Sequence, residues 1–172
     1  MKQFIGVIIL LIAIFQGNAL TAQGERLSPE ATIFGIADQV EVSVSYSKPS
    51  VKGRVIWGDL VPYETVWRAG ANEATVIEFS DDVEILGQKL PQGRYAFFVI
   101  PKKDGSWTAI FNSDWDQWGA YKHDPKRDVL RVTNKPEAAS FNETLQFSID
   151  ADTIVLHWEK LKFKLPIKRS VS

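Results

Sequence analysis

The chain predicts an all-β fold: a single-domain antiparallel β-sandwich, with a barrel as the alternative, preceded by a cleaved signal peptide. Three observations carry this. Apolar and polar residues alternate with a period of two along most of the length. Turn residues interrupt the pattern roughly every 8–12 residues, the spacing of short strands in sandwiches and barrels. Beyond the first residues, no window carries a helical apolar stripe.

Taken in order, the chain starts with Lys2 and an almost wholly apolar run, Phe4 to Phe15, followed by Gln16, Gly17, Asn18 and Ala19. That is the order of a secretory signal, charged then apolar then small. The run is too short to span a bilayer, which takes about 20 apolar residues. Residues 1–22 are therefore read as a signal peptide cleaved after Ala22, with Ala19 as the competing point, and residues 23–172 as one β-sandwich domain. Gly24 to Ala31 is a polar lead-in, with Ser28-Pro29-Glu30 a turn or short helical start.

Val40, Val42, Val44 and Tyr46 alternate with Glu41, Ser43 and Ser45 in a half-buried strand that Pro49 ends. Thr75, Ile77 and Phe79 form the next strand. Asp81-Asp82 turns into Val83 and Ile85, and Gly87-Gln88 bends the chain again. Arg94 to Ile100 is apolar on both faces and reads as a central strand. Trp107, Ala109 and Phe111 follow the Asp104-Gly105 turn; Val129, Leu130 and Val132, then Leu145, Phe147 and Ile149, complete the middle of the chain. In the last segment Ile154, Leu156 and Trp158 share one parity and Leu161, Phe163 and Leu165 the other. A one-residue slip would turn the apolar set outward, so a β-bulge is expected near Glu159-Lys160. The expected core contains Phe79, Tyr95, Phe97, Val99, Trp107, Phe111, Phe147 and Leu156.

Composition narrows the function classes. There is no cysteine, which removes thiol nucleophiles, lipid-modified cysteine and disulfide staples. A chain of roughly 150 residues after cleavage still buries enough surface to fold without them. Loss of Lys2 takes 20 basic residues to 19 against 21 acidic, a formal charge of −2. That balance gives no electrostatic basis for nucleic acid or an anionic membrane. Export by a bacterial cell to the periplasm or beyond fits these facts, with no stable membrane insertion once the signal is removed. Nothing in the pattern sets an oligomeric state.

Catalytic signals are thin. Of the two histidines, His157 lies in an apolar strand beside Trp158 and reads as structural, while His123 stands in a polar loop and could serve as a base, without a Gly-x-Ser-x-Gly elbow to support it. Asp114-Trp115-Asp116 and Asp150-Ala151-Asp152 could offer oxygens to calcium, or be turns in which Asp bonds its own backbone. No cofactor and no metal are expected. Glu73 with Asp128 is a candidate carboxylate pair for hydrolysis.

Binding signals are denser. The connection from Tyr46 to Thr75 is far longer than a hairpin loop of roughly two to five residues and too aromatic for disorder. It carries Arg54, Trp57, Trp67 and Arg68, with Asn72 and Glu73 at its exit. A second aromatic loop, Asp114 to Tyr121, contains Trp118 and Tyr121 and leads to Asp128 and Arg131. Aromatic faces stack on flat ligands and Arg forks onto carboxylate or phosphate; the same tryptophans could equally plug a sandwich end. These ten residues are expected to share one cleft, with Asp128 opposite an Arg of the first segment. The leading function is a binding module for a small polar or glycan-like ligand. A carboxylate-dependent hydrolase and a structural or interaction domain of the cell envelope are the alternatives.

Tyr46 to Arg54, Val66-Trp-Arg-Ala-Gly-Ala-Asn-Glu-Ala-Thr75, Leu90 to Tyr95, Trp118-Gly119 with Tyr121, Asp128 with Arg131, and Leu156-His-Trp-Glu159 together resemble the domain of unknown function 2911 family. The likeness spans nearly the whole chain after the signal. It implies export by a Gram-negative bacterium and no particular chemistry.

Overall fold

A computed structural model describes residues 26–170 of the 172; the expected signal segment, residues 1–22, lies outside them. Ten strands follow in chain order: β1 (Glu30–Ala37), β2 (Val40–Ser47), β3 (Ala71–Phe79), β4 (Val83–Ile85), β5 (Gln88–Leu90), β6 (Gly93–Ile100), β7 (Trp107–Asn112), β8 (Asp128–Asn134), β9 (Glu137–Asp150) and β10 (Thr153–Arg169). Six form one sheet in the order β1-β2-β3-β6-β7-β8, and four form the other as β5-β4-β10-β9. Every ladder pairing is antiparallel. Both sheets stay open, so the fold is the sandwich and not the barrel.

Alternation puts Val40, Val42, Val44 and Tyr46 of β2, Ile77 and Phe79 of β3, and Leu145 and Phe147 of β9 in the shared core. All eight residues expected there are buried. Asp81-Asp82 does more than reverse the chain: it carries it from the six-stranded sheet to the four-stranded one. β6 lies between β3 and β7, which explains its unbroken apolar sequence. Tyr95, Phe97 and Val99 enter the sandwich. Ala96 and Phe98 join Ala74 and Ile110 in a second, smaller cluster on the outer face of the sheet.

The parity change in β10 is resolved where expected. Its ladder with β9 shifts register on both sides of Glu159, which has a left-handed φ of 55°, so Trp158 and Phe163 both point inward. In the lead-in the chain bends at Ser28, in keeping with the turn and not with the helical start, and Glu30 and Ala31 already belong to β1. β1 closes on β2 through Asp38-Gln39, φ 45° and 68°, the paired positive angles of a two-residue hairpin.

Candidate functional site

The six tryptophans divide into two groups, and the division locates the candidate site. Trp57 and Trp67, from the long β2–β3 connection, turn inward. The Trp57 ring lies 4.6 Å from Trp107 and 5.9 Å from Trp158, and Trp67 stacks on Trp158 at 5.9 Å. Trp67 Nε1 donates to the carbonyl of Gly70 at 3.2 Å. The indoles fill one end of the sandwich, because burying such rings gains far more than displaying them. Trp57 and Trp67 are therefore packing residues, although Trp57 also lines a shallow hollow together with Arg54, Val55 and Phe141. Arg54 also stands apart: it donates to the carbonyls of Ser50 and Val51 in its own loop, beside that hollow.

Trp115 and Trp118 belong to the β7–β8 connection, which is laid over the outer face of the six-stranded sheet. Asn112, fully buried, holds both ends of that loop. Its Nδ2 donates to the carbonyl of Asp124 at 3.0 Å and to Asp128 Oδ1 at 2.7 Å, and its Oδ1 accepts from the Asp114 amide at 2.9 Å. Asp128, with a side chain only 4 % exposed, also meets His123 Nε2 at 2.8 Å and Arg131 Nη1 at 2.7 Å. A buried carboxylate needs such partners. They come from its own segment, not from an Arg of the first one as expected. His123 sets its ring edge-on to Phe98, 5.1 Å between centroids, and Ala120 packs on the same outer cluster.

The two segments nevertheless meet, through backbone. The Ala74 amide donates to Gln117 at 3.0 Å, and the Gly119 amide to Asn72 at 3.1 Å, with a bridge between Glu73 and Trp118. Within the Trp67–Thr75 motif most residues serve this junction. Ala69 and Asn72 hold left-handed φ of 52° and 56°. Asn72 Nδ2 donates to Ser28 O and Ser47 Oγ, both at 3.2 Å. Thr75, buried, donates its hydroxyl to Ala69 O at 3.1 Å. A side chain at Gly70 would lie 3.1 Å from the carbonyl of Ser47. Arg68 and Glu73 are left facing the loop, Arg68 beside Gly119. A side chain at Gly119 would meet the Tyr121 ring at 3.0 Å, and its φ of 65° suits glycine.

Between this loop and β1-β2-β3 runs a groove of about 450 Å³. Its floor is the outer face of the sheet: Thr32, Ser45, Ser47 and Val76, with Thr32 Oγ1 and Ser45 Oγ 3.0 Å apart. Trp115 and Trp118, 38 % and 56 % exposed, form the opposite wall. Tyr121, 84 % exposed, stands one turn beyond them. Arg94 lies over the Trp115 ring at 4.6 Å while bonding Glu78 at 2.8 Å, which fixes that indole in place. At the groove's end Arg26 bridges Glu30 and Glu73, 2.9 Å from Glu73 Oε1. The bond from Glu73, reinforced by the charge of Glu30, raises the Arg26 pKa above its ordinary value. Gln117, buried under the loop, leaves its Oε1 without a partner.

Of the ten residues expected to share a cleft, then, Glu73 and Trp118 line the groove. Arg68, Asn72 and Tyr121 flank it, Asp128 and Arg131 hold the loop that builds it, and Arg54, Trp57 and Trp67 lie elsewhere. The groove's floor is hidden in the sequence because Thr32 lies in a strand without a clear period; the alternating small polar residues Ser43, Ser45 and Ser47 are its legible sign. Among the described residues no group of three or more His, Asp or Glu could hold a metal ion, and no helix is long and apolar enough to cross a membrane. Asp150 and Asp152 flank the β9–β10 turn, each accepting from a neighbouring hydroxyl at 3.0 Å.

Comparison with curated proteins returns no match, and comparison with solved structures returns none either. The family model described as protein of unknown function (DUF2911) matches residues 28–167, a span that takes in the groove, its loop and the tryptophan-filled end, and the chain belongs to that family.

Proposed function

We propose that the protein is an exported binding module for a glycan-like ligand, held in the groove between the Trp115–Trp118 wall and the hydroxyl-bearing face of β1-β2-β3. One observation carries this reading: two indoles are exposed while Trp107 and Trp158 are buried in the core and Trp57 and Trp67 pack half-buried against it, and the exposed pair sits on a loop tied down at both ends by Asn112 and Asp128. Exposing large aromatic faces on a rigid support is costly for solubility and useful for recognition. An apolar wall facing a row of hydroxyls matches a sugar ring, apolar on its faces and hydroxylated at its rim. Hydrolysis is the weaker reading, because Asp128 is buried and spent on His123, Asn112 and Arg131, and Glu73 is engaged by Arg26. The signal-like first residues support placement in the periplasm or outside the cell.

Titration of intrinsic tryptophan fluorescence with cello- and chito-oligosaccharides tests the proposal. An aromatic anchor truncated to alanine costs about 2 kcal/mol, so Trp118→Ala should weaken binding by about 30-fold. Its melting temperature should stay near wild type, as for surface substitutions worth about 0.5 kcal/mol or less. Unchanged affinity in this variant, or its unfolding, would count against the groove.

A further inference from the structure

The groove does not end at its own lip. Outward residues of β1, β2 and β3 form successive rows across the sheet. Thr32 pairs with Ser45 and Ser45 with Val76; one step along, Phe34 pairs with Ser43 and Ser43 with Glu78. The first row is the floor of the groove described above. The second is the floor of another hollow, of about 480 Å³, bounded by Phe34 and Ile36. Rows on one face of a strand are about 7 Å apart, so the two hollows form one trough along β1, about 20 Å from Glu30 to Ile36 at about 3.4 Å per residue.

Phe34 and Ile36, 81 % and 66 % exposed, give the second half an apolar rim on the β1 side, as Trp115 and Trp118 do for the first half on the loop side. The charge along the trough selects among polymers. Glu30 and Glu73 share Arg26, Glu78 is matched by Arg94, and Glu41 and Asp116 stand without an ion pair among the described residues. Five carboxylates against two guanidinium groups leave the surface acidic, which repels polyanions and leaves an uncharged, hydroxyl-rich chain as the fitting occupant.

Building on the proposed glycan-binding role, we infer that the trough recognises an internal stretch of a linear neutral polysaccharide through two apolar subsites, the indoles of Trp115–Trp118 and the Phe34 ring with its neighbour Ile36, and not a sugar end or a single residue. A ligand long enough to reach both subsites gains the second contact at little additional cost in translational freedom.

The test is calorimetric titration with cello- and chito-oligosaccharides from disaccharide to hexasaccharide, using wild type, Phe34→Ser and Trp118→Ala. Affinity should rise by about tenfold or more between the shortest and longest oligomers, the equivalent of about 1.4 kcal/mol. Phe34→Ser should erase that rise while leaving disaccharide affinity unchanged, and Trp118→Ala should weaken every length. Binding that depends on Trp118 yet does not vary with length would overturn the extended trough and spare the proposed function. Absence of binding at every length would overturn both. Sedimentation of wild type and Phe34→Ser separates the remaining outcome: a wild-type dimer that the variant splits would assign Phe34 to contact between copies and overturn the inference.

Discussion

At the scale of single residues, the most specific run of the sequence turns out to be mainly a joint. Ala69, Gly70, Asn72 and Thr75 are there because the chain must take left-handed turns under Ser47 and re-enter the sheet. Such positions are costly for ordinary side chains and tolerable only with local bonds. That is why a dense motif gave little information about ligands: its Trp67 packs on Trp158, while Trp115, in a plainer loop, lines the groove. Tyr95 illustrates how a buried polar group shapes pH response. Its hydroxyl donates to Pro91 O at 2.7 Å, and burial, with a smaller contribution from the Asp82 charge, pushes its pKa up. A folded pKa above the unfolded one, about 10 for tyrosine, adds stability that is complete below that value and lost as pH rises through the folded pKa. Wild type should therefore lose stability above about pH 10 more steeply than Tyr95→Phe, whose curve lacks this component. Denaturant midpoints across that range check it, and parallel curves would contradict it.

At the scale of elements, legibility followed periodicity. Strands with one wet and one dry face, such as β2 and β3, could be read directly, as could the parity change in β10. β1 could not: Phe34 and Ile36 face outward while Ala31 and Ile33 pack inward, so apolar residues occupy both faces and the period vanishes. The second aromatic loop was visible as composition, but its position on the outer sheet face depends on Asn112, a single buried side chain with no sequence signature. The bulge at Glu159 offers a sharp test of element design. Deleting Glu159 would bring Leu161, Phe163, Leu165 and Ile167 onto the parity of Ile154, Leu156 and Trp158, so a regular strand without a bulge would keep the whole apolar set on the inward face. The deletion should retain cooperative unfolding in near-ultraviolet circular dichroism and calorimetry, and its loss would show that the ladder with β9 requires the bulge itself. Glu159→Gly, which keeps the residue count and suits φ of 55°, should fold with stability within about 1 kcal/mol of wild type.

At the scale of the whole molecule, the two sheets are joined by aromatic contacts. Phe97 of β6 lies 5.3 Å from Phe111 in its own sheet and 6.2 Å from Phe147 in the other, and the Tyr46 hydroxyl accepts from the Phe147 amide at 3.1 Å. Phe97→Ala should cost about 3–5 kcal/mol by urea denaturation, the range for deleting a buried ring. A cost under about 1 kcal/mol would mean the core collapses around the gap. The four-indole plug at the sandwich end also has an optical consequence. Trp57, Trp67, Trp107 and Trp158 lie close enough, with Trp67 and Trp158 inclined by only 19°, for their electronic transitions to couple. The closed end therefore carries its own chromophore: an intense couplet in ultraviolet circular dichroism that vanishes when the β2–β3 connection detaches. The emission of Trp115 and Trp118, red-shifted by water, reports on the groove separately and within the same unlabelled molecule.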